Sequence, residues 1–128
     1  MSKTQTTTRI TDVRTVGVAV SDQDRALEFY VEKLGFEKRM DTPFGQGERW
    51  VEVAPPGAST SIALVRRAAG DAAGIDTQVR FTSDDVEADH AALRARGVDA
   101  DAEILRFPVP MFAFRDLDGN RLVIVQSG

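Results

Sequence analysis

The sequence contains no cysteine and a single histidine in its 128 residues. The first absence excludes disulfides, thiolate metal sites and a cysteine nucleophile, and it fits a reducing compartment. The second leaves any histidine-based metal centre without partner ligands. Basic charge is also scarce: 16 Lys and Arg stand against 20 Asp and Glu, a net charge of -4. The pairs Arg66-Arg67 and Arg94-x-Arg96 are too small to form the stripe that phosphate contacts require, so nucleic acid is not an expected partner. No apolar run approaches a membrane span, and the opening MSKTQTTTRI carries no hydrophobic secretory segment, so no membrane association and a cytoplasmic location are expected. There is no Gly-x-Ser-x-Gly elbow and no glycine-rich phosphate loop.

What is present is a soluble globular composition, 42% hydrophobic and 28% charged, in a chain long enough to bury one core. One phrase occurs twice. VGVAVSDQDRALEFYVEKLGFE, from Val16 to Glu37, returns in weaker form as TQVRFTSDDVEADHAALRARGVD, from Thr77 to Asp99. Aligning Ser21-Asp22 with Ser83-Asp84 brings Gly35 onto Gly97 at the same offset. A repeat of this size predicts two copies of one supersecondary unit within a single domain.

In the first copy Val16, Val18 and Val20 alternate with Thr15, Gly17 and Ala19, the period of a strand with one apolar face. Ser21-Asp22 supply a helix N-cap, Ala26, Phe29, Tyr30 and Leu34 follow at helical spacing, and Gly35 stops the helix. In the second copy Val79 and Phe81 alternate with Gln78 and Arg80. Ser83-Asp84 cap, Val86, His90 and Leu93 form the stripe, and Gly97 stops it. Each helix leads into strands. Arg49–Ala54 and Ser61–Val65 read as a hairpin about Pro55-Pro56-Gly57, and MFAFRDLDGNRLVIVQ as a hairpin about residues 116–120. Shorter strands are expected near 36–41 and 101–105. The predicted plan is α+β: tandem βαβββ units over about 9–66 and 76–128, a linker at 67–75, and a disordered tail at 1–8.

On VSDQDRALEFYVEKLGFE, FRDLDGNRLVIVQ and the duplication, the chain resembles the vicinal oxygen chelate superfamily, which holds glyoxalase I, bleomycin-resistance proteins, fosfomycin-resistance enzymes and extradiol dioxygenases. The resemblance covers nearly all of the chain beyond the tail. It implies that the two units form a curved mixed sheet around a cavity, with helices on the outer faces, and that the protein is a homodimer. It also implies where metal-using members place their ligands, typically His, Gln or Glu: on the first and last strand of each unit. Alternation puts Thr15, Ala63, Gln78 and Val123 at those positions. Only Gln78 offers a donor, and a neutral amide does not hold a divalent cation by itself. His90 reads as a half-buried helix residue rather than a ligand. No metal and no other cofactor is expected.

The cavity then reads as an apolar pocket. Alternation places Val51 and Val53 toward the helix, and Trp50 and Glu52 toward the cavity. Trp50 offers a flat face for an aromatic or planar ligand, while Glu52, Gln78 and Arg80 supply the few polar groups that orient one. Phe44, in DTPFGQGE, and the run from Phe107 to Phe112 are candidates for a rim. Alternation leaves open which set of the strand, Met111, Ala113 and Arg115 or Phe112 and Phe114, faces the cavity; Met111 and Arg115 are carried as ligand-binding candidates. Two functions fit. One is a metal-independent protein that sequesters a small aromatic or planar molecule, as bleomycin-resistance proteins do. The alternative is a metal-free, glyoxalase-like lyase or isomerase with Glu52 as base, burial beside Trp50 raising its pKa. Against each stands a structural reading: Trp50 as core, and Glu52 as a bridge to Arg80 or Arg115.

Overall fold

The computed structural model describes residues 8–72 and 74–128. Thr15–Val20 form β1, Gln23–Glu28 form α1, and Phe29–Lys33 continue it as a π-helical turn. Three strands follow: β2 (Glu37–Pro43), β3 (Arg49–Ala54) and β4 (Ser61–Arg66). After residues 67–75 the plan repeats, with β5 (Asp76–Ser83), α2 (Val86–Ala95), β6 (Asp99–Ala100), β7 (Met111–Arg115) and β8 (Arg121–Gln126). The strands make two four-stranded sheets of matching order, β1-β4-β3-β2 and β5-β8-β7-β6. In each, the first strand runs parallel to the last and the other pairings are antiparallel. Two βαβββ units are therefore present, as the alternation and the paired glycines indicated.

Each sheet presents one face to a shared core. Val18, Val20, Val51, Val53, Ile62 and Leu64 from the first sheet join Phe112, Phe114, Leu122 and Ile124 from the second, with Phe29, Tyr30, Val86 and Leu93 from the helices. This settles the strand that sequence left ambiguous: Phe112 and Phe114 belong to the core, so Met111, Ala113 and Arg115 lie on the opposite face, in register with Val125, Val123 and Arg121.

Three details depart from the sequence reading. The second helix is capped by Asp85, whose side chain accepts from the Ala88 amide, whereas Asp22 caps the first in the predicted place. Measured from these caps, the first helix holds one residue more before its stop glycine than the second. The π turn absorbs it: the Leu34 amide donates to the Phe29 carbonyl, five residues back, at 3.3 Å, as expected where a residue is inserted into a helical ladder. The short strand predicted at 101–105 is instead at Asp99–Ala100, with Leu105 making only an isolated bridge to Met111. Finally, β5 is not a regular edge. Gln78 has φ +64° and the ladder to β8 shifts between Asp76 and Arg80, a bulge that simple alternation does not foresee. The tail predicted at 1–8 lies, through residue 7, outside the described residues.

Candidate functional site

The open face of the first sheet carries a recess of about 450 Å³ lined by Arg14, Thr15, Met40, Thr42, Phe44, Trp50 and Glu52. Its position follows from strand pleating: Val51 and Val53 are fully buried on the helix side, so Trp50 and Glu52 emerge on the other. β2 lies beside β3 with Met40 opposite Glu52 and Thr42 opposite Trp50, which extends the floor. Phe44, in the loop beyond β2, is half exposed and meets Trp50 edge-to-face at 6.3 Å. The result is an aromatic and apolar surface open to solvent.

Glu52 lies at the base of this surface and is only 4% exposed. Both of its carboxylate oxygens are occupied. Oε2 accepts from the Trp50 indole Nε1 at 2.6 Å and from Arg14 Nη2 at 3.2 Å, and Oε1 accepts from Ser61 Oγ at 2.7 Å. Burial pushes the Glu52 pKa up, but the hydrogen bonds from Trp50 and Ser61 and the charge of Arg14 outweigh it, leaving the carboxyl below its usual range. This reverses the direction predicted from burial alone, because three donors that favour the ionised form converge on one side chain. Glu52 is an ionised, tethered acceptor that fixes the indole edge of Trp50, which stays half-buried at the floor of the recess. Its ion-pair partner is neither Arg80 nor Arg115 but Arg14, whose side chain is largely exposed.

Sequence reasoning missed Arg14 and Ser61. Arg14 precedes β1 and would alternate away from the open face; it reaches back because its carbonyl accepts from the Ser61 amide at 2.9 Å, holding the backbone against β4. A buried serine at the start of a strand adjacent to Glu52 is the one local signal that could have found the second.

Of the predicted ligand-binding residues, Trp50, Glu52 and Phe44 come together. Gln78 and Arg80 do not join them: they line a separate cleft with Val16, Ile62 and the turn at 55–60. Met111 sits half-buried on the open face of the second sheet. Arg115 is engaged by Asp99 and Asp101, which keep its guanidinium pKa raised. His90 is on α2, its Nε2 2.7 Å from the Asp101 carbonyl and its ring edge-on to Phe112.

The four positions where metal-using relatives would place ligands do not make a donor set. Ala63 and Val123 have no donor atom and are buried, Thr15 offers a neutral hydroxyl, and Gln78 opens on a different cleft. Among the described residues no three His, Asp or Glu side chains converge as a cation would require. The residues present do not fit a catalytic divalent ion.

A family profile described as Glyoxalase/Bleomycin resistance protein/Dioxygenase superfamily matches residues 12–124. The chain belongs to this superfamily. The uncharacterized protein YetH of Bacillus subtilis (strain 168) is 32% identical over 113 residues, spanning 87% of this chain and 94% of YetH. Among solved structures, TnmS3, an antibiotic-binding protein from Streptomyces sp. CB03234, superposes with a TM-score of 0.84 at 38% identity, covering 94% of this chain and 99% of TnmS3. A superfamily member from Sphaerobacter thermophilus DSM 20745 gives 0.83 at 34% identity, covering 92% and 98%. The relatives thus include an antibiotic-binding protein. Among the described residues no helix is long and apolar enough to cross a membrane.

Proposed function

We propose that this chain is a metal-independent binding protein that holds a small, planar aromatic molecule against the indole face of Trp50. The observation that carries the reading is the tether on Trp50. An indole clamped by its N–H to a buried, ionised Glu52 presents its face at little conformational cost. Phe44 and Met40 add apolar surface around it, and Arg14 keeps guanidinium donors available at the edge of the recess. The likeness to TnmS3, an antibiotic-binding protein, supports a binding role for the fold. The recess is walled by the first unit alone, which supports a homodimer in which a second copy closes over it.

The alternative, a lyase or isomerase using Glu52 as base, is less well supported. A carboxylate with a lowered pKa and both oxygens occupied is a weak proton acceptor.

Intrinsic fluorescence of Trp50, the single tryptophan, tests the proposal directly. Titration with a panel of polycyclic aromatic antibiotics is expected to give saturable quenching without product, and Trp50→Ala to weaken binding at least tenfold, followed by calorimetry. Turnover of any panel compound, or zinc, nickel or iron recovered at one per subunit, would overturn it. Size-exclusion chromatography with light scattering decides the dimer.

A further inference from the structure

Away from the open sheet faces, a cavity of about 220 Å³ lies between the two units. Its walls are Leu34 and Phe36 from the first unit, Phe81, Leu93, Phe114 and Ile124 from the second, and the Pro55-Pro56 turn. Pro55, Pro56, Phe81 and Thr82 also line the wider cleft beside it, so a route from solvent is provided.

The origin of the void is legible in the duplication. Counted from the two N-caps, Asp22 and Asp85, Phe29 corresponds to Ala92 and Tyr30 to Leu93. At the junction made by the first helix, Phe29 is buried and Tyr30 reaches Asp116, and the recess there lies outside, between Phe29, Glu32 and Leu117. At the matching junction made by the second helix, Ala92 and Leu93 face Pro55-Pro56 and leave the gap. The polar residues at the cavity are exposed or half-exposed, and the two charged ones are engaged: the Asp89 carboxylate accepts from Ser83 Oγ, and Arg96 Nη1 donates to the Lys33 carbonyl. Water needs two to four polar partners to occupy such a space, whereas a dry apolar cavity of about 150 Å³ accepts benzene.

From this we infer that the inter-unit cavity is a second binding site, for an uncharged molecule of about one aromatic ring with a short apolar substituent. The site goes beyond the Trp50 recess and does not depend on it. Edge-to-face contact is prearranged, since Phe36 and Phe81 already meet at 5.2 Å and 76°. A guest there touches both units at once and stabilises their packing.

Toluene is the probe. Its addition to the intact wild-type chain is expected to raise the melting temperature saturably and to do so equally in Trp50→Ala. Ala92→Phe, which puts back the ring found at the matching position, is expected to weaken toluene binding at least tenfold. Xenon under pressure in crystals of the wild-type chain should settle among Phe36, Phe81 and Phe114, a readout that stands even if Ala92→Phe fails to fold. No saturable effect up to the solubility limit of toluene, binding lost in Trp50→Ala, binding retained in a folded Ala92→Phe, or xenon confined to other sites would each overturn the inference. Because Trp50 lines only the first site, failure of one proposal is distinguishable from failure of the other.

Discussion

The two halves of this molecule follow one plan and close on each other by opposite means. Where α1 meets the second unit, the junction is polar at its centre, with recesses only at its edge beside Leu117. Tyr30 is fully buried and donates to Asp116 Oδ2 at 2.9 Å, and Asp116 also accepts from the amides of Asp118 and Asn120 and from Asn120 Nδ2. Asn120 Nδ2 in turn donates to the Ala19 carbonyl, and Asp118 accepts from the Ser21 amide, so the β7–β8 turn is stitched to the end of β1. Where α2 meets the first unit, the junction is apolar and partly empty, with Leu93 and Ala92 opposite two prolines. The helix ends themselves remain symmetric: Lys33 donates to the Arg96 carbonyl and Arg96 to that of Lys33, cations meeting the negative ends of helices. Duplication has preserved the frame, and the difference between the junctions comes down to a few side chains and one inserted residue.

The largest expected effect comes from breaking the polar junction at its centre. Asp116→Ala leaves four buried or half-buried donors without their acceptor, and should cost ~3 kcal/mol or more in urea unfolding. Removing one strand of the network is milder. Tyr30→Phe should cost about 1–2 kcal/mol. It also carries a pH signature: burial, with help from the Asp116 and Asp118 charges, holds the Tyr30 pKa well above its ordinary value. A group raised in the folded state contributes stability that is complete below the unfolded pKa and is lost as pH rises toward the folded one. Wild type should therefore lose stability above the ordinary tyrosine range more steeply than Tyr30→Phe, measured by unfolding in alkaline buffers.

The open sheet faces sharpen the contrast further, because the first unit places Glu52 where the second, in the same pairing with its last strand, has Ala113. Glu52→Gln should cost about 1 kcal/mol. The Glu52 pKa is lowered in the folded state, so its contribution is present above the usual carboxylate range and disappears as pH falls through the folded pKa. The Trp50 emission of wild type should shift over that acid window, and in Glu52→Gln it should not.

How the strands pair was implied by the family resemblance. Strand periodicity, the Pro-Pro-Gly and Asp-Gly-Asn turns and the two stop glycines mark every strand but β6, since each depends on local backbone preference and on which face is apolar; β6 lies at Asp99–Ala100 and not at 101–105. The same signals placed Trp50, Glu52 and Phe44 on one surface. What they could not convey was reach. Arg14 and Ser61 meet Glu52 across strands by backbone pairing that no local window contains, and the net direction of the Glu52 pKa depends on those two neighbours together with Trp50. Gln78 and Arg80 were drawn into the site by an alternation that the bulge in β5 interrupts. The π turn stayed hidden because matching Ser21-Asp22 to Ser83-Asp84 makes the helices equal in length; only the true cap at Asp85 exposes the extra residue.

That extra residue shows how the frame tolerates a change of length. Because the π turn takes it up within Phe29–Lys33, removing one residue there should leave a regular α-helical ladder like that of α2, with the phenol of Tyr30 still at Asp116 and the ring of Phe36 still against Phe81. A scan that exchanges side chains one at a time would never reveal this tolerance, because it is written in spacing.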